Sequence, residues 1–150
     1  DGQINLIKRE DIKMSYRKSS FASDLIFIEA IFQCEEGNVD ENLGKLKALN
    51  QKRSETQPIK SNTGGSTFKN PSSLKAWKLI RESNSSELRV GKAKISELHA
   101  NFIENEGGAT SEDIESLGEI IKKNVKKKFG ILLDWEIKII GNKLNSRENQ

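Results

Sequence analysis

One run of residues constrains the fold more than any other feature of this sequence. Residues 25–32, Leu-Ile-Phe-Ile-Glu-Ala-Ile-Phe, are apolar except for Glu29. A nearly continuous apolar run of this length predicts a β-strand that is buried on both faces and therefore needs neighbouring strands. The residues before it predict only one more strand, over residues 4–7, which is too few to complete a sheet. We therefore expect residues 1–36 to be the end of a larger β-rich unit and the chain to be a fragment.

The composition is typical of one ordinary domain, or of a small domain joined to part of another. The 150 residues are 31% charged and 34% hydrophobic, and the net charge is only +3. A nucleic-acid-binding protein usually carries a larger or more clustered positive excess. The densest basic segment, residues 122–128, lies on a predicted helix, and we interpret it as a solvated face near the helix C-terminus. Every apolar run is shorter than the roughly 18 residues of a membrane-spanning helix.

The remainder of the sequence predicts a connecting helix and a small α+β domain. Asn38 or Asp40 caps a helix that runs to about residue 56 and is stopped by Pro58. After a Gly/Ser loop at residues 60–66, helices and short strands alternate, which is typical of an α+β unit. The predicted elements are a helix capped by Ser72 or Ser73, strands at residues 88–90, 100–103 and 132–140, and a helix that follows a capping box at residues 110–113 and ends at Gly130. We assign residues 37–59 to the connecting helix, 60–141 to the domain and 142–150 to a disordered tail.

Two segments of this domain carry residue types suited to chemistry. In residues 64–71, paired glycines allow a ligand to approach the backbone, and the hydroxyl of Ser66 is followed by Lys69 and Asn70. In residues 133–139, strand alternation places Asp134, Glu136 and Lys138 on one face and the apolar side chains on the other. Taken as patterns alone, the first segment favours a simple turn and the second an ordinary solvated face.

A third candidate precedes the apolar run. Arg17 follows Tyr16 in a basic cluster, and a guanidinium can hold a carboxylate through two parallel hydrogen bonds, although a plain surface arginine is the alternative. The single cysteine, Cys34, excludes an internal disulfide and agrees with a reducing compartment. The single histidine, His99, is too isolated for a metal site, so we predict no metal and expect this side chain to be packed or hydrogen-bonded.

Together these segments resemble one family, the UDP-N-acetylenolpyruvoylglucosamine reductases. The resemblance is carried by five blocks in the family's order: residues 16–19 (Tyr-Arg-Lys-Ser), 65–71 (Gly-Ser-Thr-Phe-Lys-Asn-Pro), 76–80 (Ala-Trp-Lys-Leu-Ile), 96–103 (Ser-Glu-Leu-His-Ala-Asn-Phe-Ile) and 133–141 (Leu-Asp-Trp-Glu-Ile-Lys-Ile-Ile-Gly). It spans nearly the whole chain, and five ordered blocks are far more specific than a lone Gly-Ser pair.

The resemblance implies a flavoenzyme of the bacterial cytoplasm. It would use NADPH and FAD to convert UDP-N-acetylglucosamine enolpyruvate to UDP-N-acetylmuramate for peptidoglycan. Residues 1–36 would be the C-terminal end of the FAD-binding domain, and residues 60–141 the substrate-binding domain. The Gly-rich flavin-binding half would lie upstream of Asp1, so this chain alone is expected to hold FAD weakly and to be inactive. A separate N-terminal half is then an implied partner, whereas a nucleic acid and a membrane are not.

The resemblance also implies roles for individual residues. Ser66 would be the proton donor, Arg17 would contact the substrate carboxylate, and Glu136 would stabilise or protonate the enolic intermediate. A serine hydroxyl is a weak acid in water, so this role needs nearby cations such as Lys69. We expect Ser66 and Glu136 to converge on one pocket, with residues 133, 135 and 137 packed behind it. The implied substrate or site-wall contacts are Tyr16, Lys69, Asn70 and His99, and the implied flavin contact is Lys138.

One segment departs from the family pattern. Residues 81–94 lack glycines that the resemblance leads us to expect at residues 83–87 and at Lys92. A side chain at Lys92 would oppose a positive φ or a close ligand approach. The main alternative to an enzyme is therefore a catalytically silent remnant, or a split-gene fragment, that keeps only the substrate-domain fold. A weak nucleic-acid binder that uses residues 122–128 is a more distant alternative.

Overall fold

The computed structural model describes residues 2–21 and 25–141, in two compact units with bounds at Asp1–Gly37 and Asn38–Gln150. The tail predicted at residues 142–150 lies outside the described residues. Helices and antiparallel strands are both present, which confirms the α+β class. No helix within the described ranges is long and apolar enough to cross a membrane.

The first unit contains little regular structure. A short 3₁₀ helix, Arg9–Asp11, precedes a hairpin of two short strands, β1 (Met14–Ser15) and β2 (Lys18–Ser19). The strands predicted at residues 4–7 and 25–32 do not form, and Ile26 is 86% exposed. The physical reason is that a strand needs a partner for its backbone N–H and C=O groups, and the described part of this unit offers only the hairpin. The two predicted strands are therefore absent from the described part of this unit, and the assignment of residues 1–36 to the end of a flavin-binding domain stays a prediction.

The second unit begins with the connecting helix α1, Val39–Thr56. As predicted, Asn38 caps it, because its side-chain oxygen accepts a hydrogen bond of 3.0 Å from the Glu41 N–H. The helix buries none of its residues, and Glu41 and Lys45 form an ion pair one turn apart on its surface. Local capping and side-chain pairs therefore account for this helix better than packing does.

A four-stranded antiparallel sheet forms the centre of the domain. Its strands are β3 (Thr63–Ser66), β4 (Arg89–Val90), β5 (Ala93–Ile95) and β6 (Phe102–Asn105), in the spatial order β3-β6-β5-β4. The sequence predicted β4 and, shifted by two residues, β6. It missed β5, and it predicted a loop where β3 forms the edge of the sheet.

Two more helices complete the domain; the longer one packs on strands β4, β5 and β6, and the shorter one packs against the longer. Helix α2 spans Ala76–Glu82, and helix α3 spans Ser111–Phe129. The predicted capping box of α3 is confirmed, with Thr110 and Asp113 bonded reciprocally, and Gly130 ends the helix at φ 70°. The predicted cap of α2 at Ser72 or Ser73 is wrong. The side-chain oxygen of Asn70 instead accepts from the first helical N–H of α2, at Ala76, over 2.9 Å.

The core lies between the helices and the sheet. Its fully buried members come from every layer: Ile80 of α2, Ile95 of β5, and Leu117, Ile121 and Val125 of α3. Spacings of three and four residues place the α3 side chains on one stripe, as the sequence predicted. The lysines of α3 lie on its other faces, where Lys122 pairs with Glu119 at 2.7 Å and Lys128 donates to the Glu82 carbonyl. Both contacts lie within the protein's own fold, whereas Lys123, Lys126 and Lys127 are exposed.

The last predicted strand is reduced to a single bridge. Of residues 132–140, only Trp135 pairs with another residue, Phe68, in an antiparallel β-bridge. Leu133 is fully buried, whereas Ile140 is 92% exposed. The predicted alternation of buried and exposed side chains is therefore present near the bridge to Phe68 and absent towards Ile140, where the segment leaves the domain.

Candidate functional site

The Gly-Gly-Ser segment forms a bulged edge strand. Thr63 pairs with Glu104, and Ser66 pairs with Phe102. Between these two pairs, β3 has one residue more than β6, which produces a β-bulge. Gly65 has a φ of 89°, and apart from its two chain neighbours no described residue has an atom within 4 Å of the position a β-carbon would occupy. Bulges redirect the side chains that follow them. The bulge therefore sets the direction of the half-buried Ser66.

Glu136 lies beside this strand through the Phe68–Trp135 bridge. The Glu136 N–H donates to the Thr67 carbonyl over 2.9 Å, and the Lys69 N–H donates to the Asp134 carbonyl over 2.9 Å. The backbone of Glu136 is thus bonded to the residue that follows Ser66. Two candidates that are far apart in sequence therefore come from adjacent positions of one short ladder.

Asn101 holds the same ladder from the other side, and it was not predicted as a site residue. This side chain is buried and bonds both polar groups of the Phe68 backbone: its oxygen accepts from the N–H at 3.0 Å, and its nitrogen donates to the carbonyl at 2.8 Å. The Thr67 N–H donates to the Asn101 carbonyl over 2.7 Å. Asn101 thus extends the hydrogen-bond ladder of β6 past the end of β3. Its one sequence signal is an amide between apolar residues.

The other polar candidates of this block have distinct positions. The Lys69 side chain is exposed, and its backbone belongs to the ladder. Asn70 is half-buried, and its side-chain oxygen caps α2. Lys138 is exposed two residues beyond Glu136. The structure therefore brings Ser66, Lys69 and Glu136 to one edge of the domain and gives Asn70 a structural role.

His99 is packed and hydrogen-bonded, as predicted. Its ring lies 4.8 Å from the Phe102 ring and 6.3 Å from the Trp77 ring, and its Nδ1 accepts from the Asn101 N–H over 3.2 Å. Burial lowers the pKa of this imidazole below its ordinary value, and the positive charge of Arg81 lowers the pKa further. His99 therefore supports the loop that carries Asn101.

A cavity of about 250 Å³ lies against the bulge. Its walls include Gly65, Thr67 and Ile137, which are neighbours of Ser66 and Glu136, together with Ile103 and Ile114. Ile137 thus lines this cavity, whereas we expected it to be packed behind the site. The convergence of the Ser66 and Glu136 side chains on one pocket stays a prediction.

Tyr16 and Arg17 lie in the first unit, in the turn between β1 and β2. Arg17 has a φ of 60°, and its guanidinium lies 5.4 Å from the centre of the Tyr16 ring. A positive φ is uncommon for a residue other than glycine and is frequent at functional positions. The turn is therefore a strained one that presents a cation and an aromatic ring together.

The segment that departs from the family pattern folds without strain at Lys92. The positive φ values of this region fall on Asn84, at 58°, and on Gly91, at 53°. Asparagine tolerates this conformation better than most residues, and glycine adopts it freely. The Lys92 side chain therefore opposes no positive φ in this fold.

Within the described ranges, no three His, Cys, Asp or Glu side chains are grouped to hold a metal ion.

The family match and the individual relatives both connect this chain with one group of proteins. Residues 57–140 match the protein family described as UDP-N-acetylenolpyruvoylglucosamine reductase, C-terminal domain. The chain is 44% identical over 140 residues to the enzyme of that name from Parvibaculum lavamentivorans, covering 93% of this chain and 45% of that protein. It is 43% identical over 146 residues to the enzyme from Rickettsia bellii, covering 97% and 48%.

A solved structure agrees with these matches. UDP-N-acetylenolpyruvylglucosamine reductase from Thermus caldophilus superposes with a TM-score of 0.74 at 31% identity, over 91% of this chain and 49% of that chain. The chain therefore spans about half the length of the relatives that it matches.

The Asn101 contacts predict a stability defect. Replacing Asn101 with Ala leaves the buried N–H and carbonyl of Phe68 without their partner, so we expect the free energy of unfolding to fall by about 1–3 kcal/mol. Urea denaturation followed by tryptophan fluorescence measures this loss. The matched control is Asn50→Ala on the exposed surface of α1, which should change the stability by less than about 0.5 kcal/mol. Equal effects of the two substitutions would contradict the role of Asn101.

The environment of His99 predicts a pH effect. We expect the single imidazole resonance to titrate below the ordinary value of 6.5, and Arg81→Gln to move the pKa upward. The unfolded chain binds the proton more readily, so stability should decrease as the pH falls through 6.5 towards the folded-state pKa. NMR titration of the Hε1 proton measures the pKa, and Arg89→Gln, whose guanidinium pairs with Glu106, is the control. A pKa at or above 6.5 would refute this account.

Proposed function

The chain belongs to the UDP-N-acetylenolpyruvoylglucosamine reductase C-terminal domain family, and from this premise we propose that it forms the substrate-binding part of an FAD-dependent reductase. The proposed reaction reduces UDP-N-acetylglucosamine enolpyruvate to UDP-N-acetylmuramate at the expense of NADPH, for bacterial peptidoglycan. Most of the flavin-binding surface would belong to a further segment or a partner chain, because this chain spans about half of its relatives.

One observation carries the proposal. The bridge between Phe68 and Trp135 aligns the two segments that hold Ser66 and Glu136, and hydrogen bonds on either side of the bridge fix their register. Both segments fall inside the family match at residues 57–140. A hydroxyl and a carboxylate held at one edge are suited to proton transfer and to stabilising charge on a bound substrate.

The described residues fit one side of a flavin. Gly65 presents open backbone that a flat ring can approach closely, and Lys138 adds an exposed cation near Glu136. When it is bound, FAD supplies to the substrate the hydride that it has received from NADPH. Within the second unit, Lys69 would hold an anionic group of the substrate, and the contact of Arg17 with the substrate carboxylate stays a prediction.

The chain's own residues would complete the reduction. Hydride addition to the enolpyruvyl double bond leaves an electron pair that is delocalised into the substrate carboxylate as an enolate. The Ser66 hydroxyl would donate its proton to the neighbouring carbon, and the new C–H bond would take up that electron pair. Glu136 would stabilise or protonate the enolic form, and solvent would return a proton to Ser66. Lys69, three residues after Ser66, would favour the transient serine alkoxide.

A chimera tests this function with a substrate-dependent readout. This chain replaces the matching 140 residues of the P. lavamentivorans enzyme, and stopped-flow absorbance follows the flavin. We expect Ser66→Ala to leave flavin reduction by NADPH nearly unchanged and to slow reoxidation by the enolpyruvyl substrate by roughly 10²- to 10⁴-fold, because only the second step needs the proton.

The control for this experiment is Ser73→Ala, an exposed serine before α2, which should change neither step. Equal slowing of both steps by Ser66→Ala would refute the donor role. A folded, FAD-loaded chimera that reduces no substrate would favour the silent-remnant alternative.

A further inference from the structure

We infer that Gly118 of α3 is a positioning residue for Glu136, because the absence of a side chain at Gly118 creates the space that the Trp135 ring fills. The functional meaning of this inference rests on the proposed role of Glu136. Glycine is normally less favourable than alanine inside a helix. Its presence in the middle of α3, with no positive φ, therefore requires a steric reason.

The steric reason is the Trp135 ring. A β-carbon at Gly118 would lie 2.9 Å from Cζ2, 2.7 Å from Cζ3 and closer still to Cη2 of Trp135. These separations are well below the usual 3.5–4.0 Å contact between carbon atoms. Either the helix or the indole must therefore move when residue 118 carries a side chain.

The indole has little freedom to move. It packs against the buried ring of Phe68, with 5.0 Å between ring centres. Its Nε1 donates to Glu119 over 3.1 Å, and the Lys122 ammonium lies 5.6 Å from the ring centre. A displaced indole would strain the Phe68 contact and lose the Glu119 bond, so displacement is transmitted to the Trp135 backbone.

The Trp135 backbone sets the position of the proposed site. Trp135 is the bridge partner of Phe68, and the hydrogen bonds of its two neighbours, Asp134 and Glu136, define the ladder. Moving Trp135 away from α3 therefore shifts Glu136 relative to Ser66. Gly118 touches neither proposed reacting group and acts on both through one aromatic ring.

Amide hydrogen exchange of this chain, measured by NMR, tests the inference without flavin or substrate. We expect Gly118→Ala to speed exchange of the Lys69 and Glu136 amides roughly ten- to a hundredfold, because overpacking opens the ladder. The amides of Ser96 and Asn105, which bond elsewhere in the sheet domain, should change much less. The matched control is Gly44→Ala in α1, where nothing lies within 4 Å of the added carbon.

A second pair of variants separates the steric effect from general damage. Trp135→Leu removes the ring atoms that clash, so adding Gly118→Ala to Trp135→Leu should leave exchange unchanged or slow it, the reverse of its effect beside tryptophan. This comparison also decides the matter if Gly118→Ala alone does not fold.

Three results would overturn the inference. They are equal acceleration of exchange at all four amides, no acceleration at the Lys69 and Glu136 amides, and the same loss of protection on Gly118→Ala with either Trp or Leu at position 135. A failed turnover experiment would overturn the proposed function instead, and the exchange result would remain.

Discussion

The site depends on a single antiparallel bridge, Phe68 with Trp135, and the two hydrogen bonds beside it. Backbone groups removed from water need partners. Among the described residues after 132, Asp134 and Glu136 make the backbone hydrogen bonds to the residues on either side of Phe68. The bridge therefore determines both where the last segment of the domain lies and where Glu136 lies relative to Ser66. Ser66 and Glu136 are far apart in the sequence, and the bridge brings their segments together.

Two supports hold the bridge from opposite sides. The Asn101 side chain bonds the backbone N–H and the carbonyl of Phe68, so neither buried group lacks a hydrogen-bond partner. On the other side, α3 receives the Trp135 ring over Gly118. Asn101 thus fixes the backbone of Phe68, and the space at Gly118 fixes the ring of Trp135. Precise placement of this kind is what proton transfer to a bound substrate requires.

Much of the domain could be predicted because its signals are local. The α3 stripe, its capping box and Gly130 lie within one continuous segment, and the structure confirms all three. The predictions failed where the cause is distant. The α2 cap comes from Asn70. The apolar run at residues 25–32 finds no strand partner among the described residues of its unit. The short strands β3 and β5 are each held by pairing with β6, which comes later in the sequence. For the same reason, the sequence indicated Ser66 and Glu136 through family motifs, gave only an amide between apolar residues as a sign of Asn101, and gave no sign of the role of Gly118.

We propose that Ser66 and Glu136 belong to one site. A double-mutant cycle on the rate of flavin reoxidation by the enolpyruvyl substrate tests it most directly, with Ser66→Ala, Glu136→Gln and the double variant in the chimeric enzyme. Residues that act as a unit are not additive. If the two residues act as one unit, the double variant is about as slow as the slower single variant. A double variant slowed by the full product of the two single effects would show that the residues act independently and do not share a site.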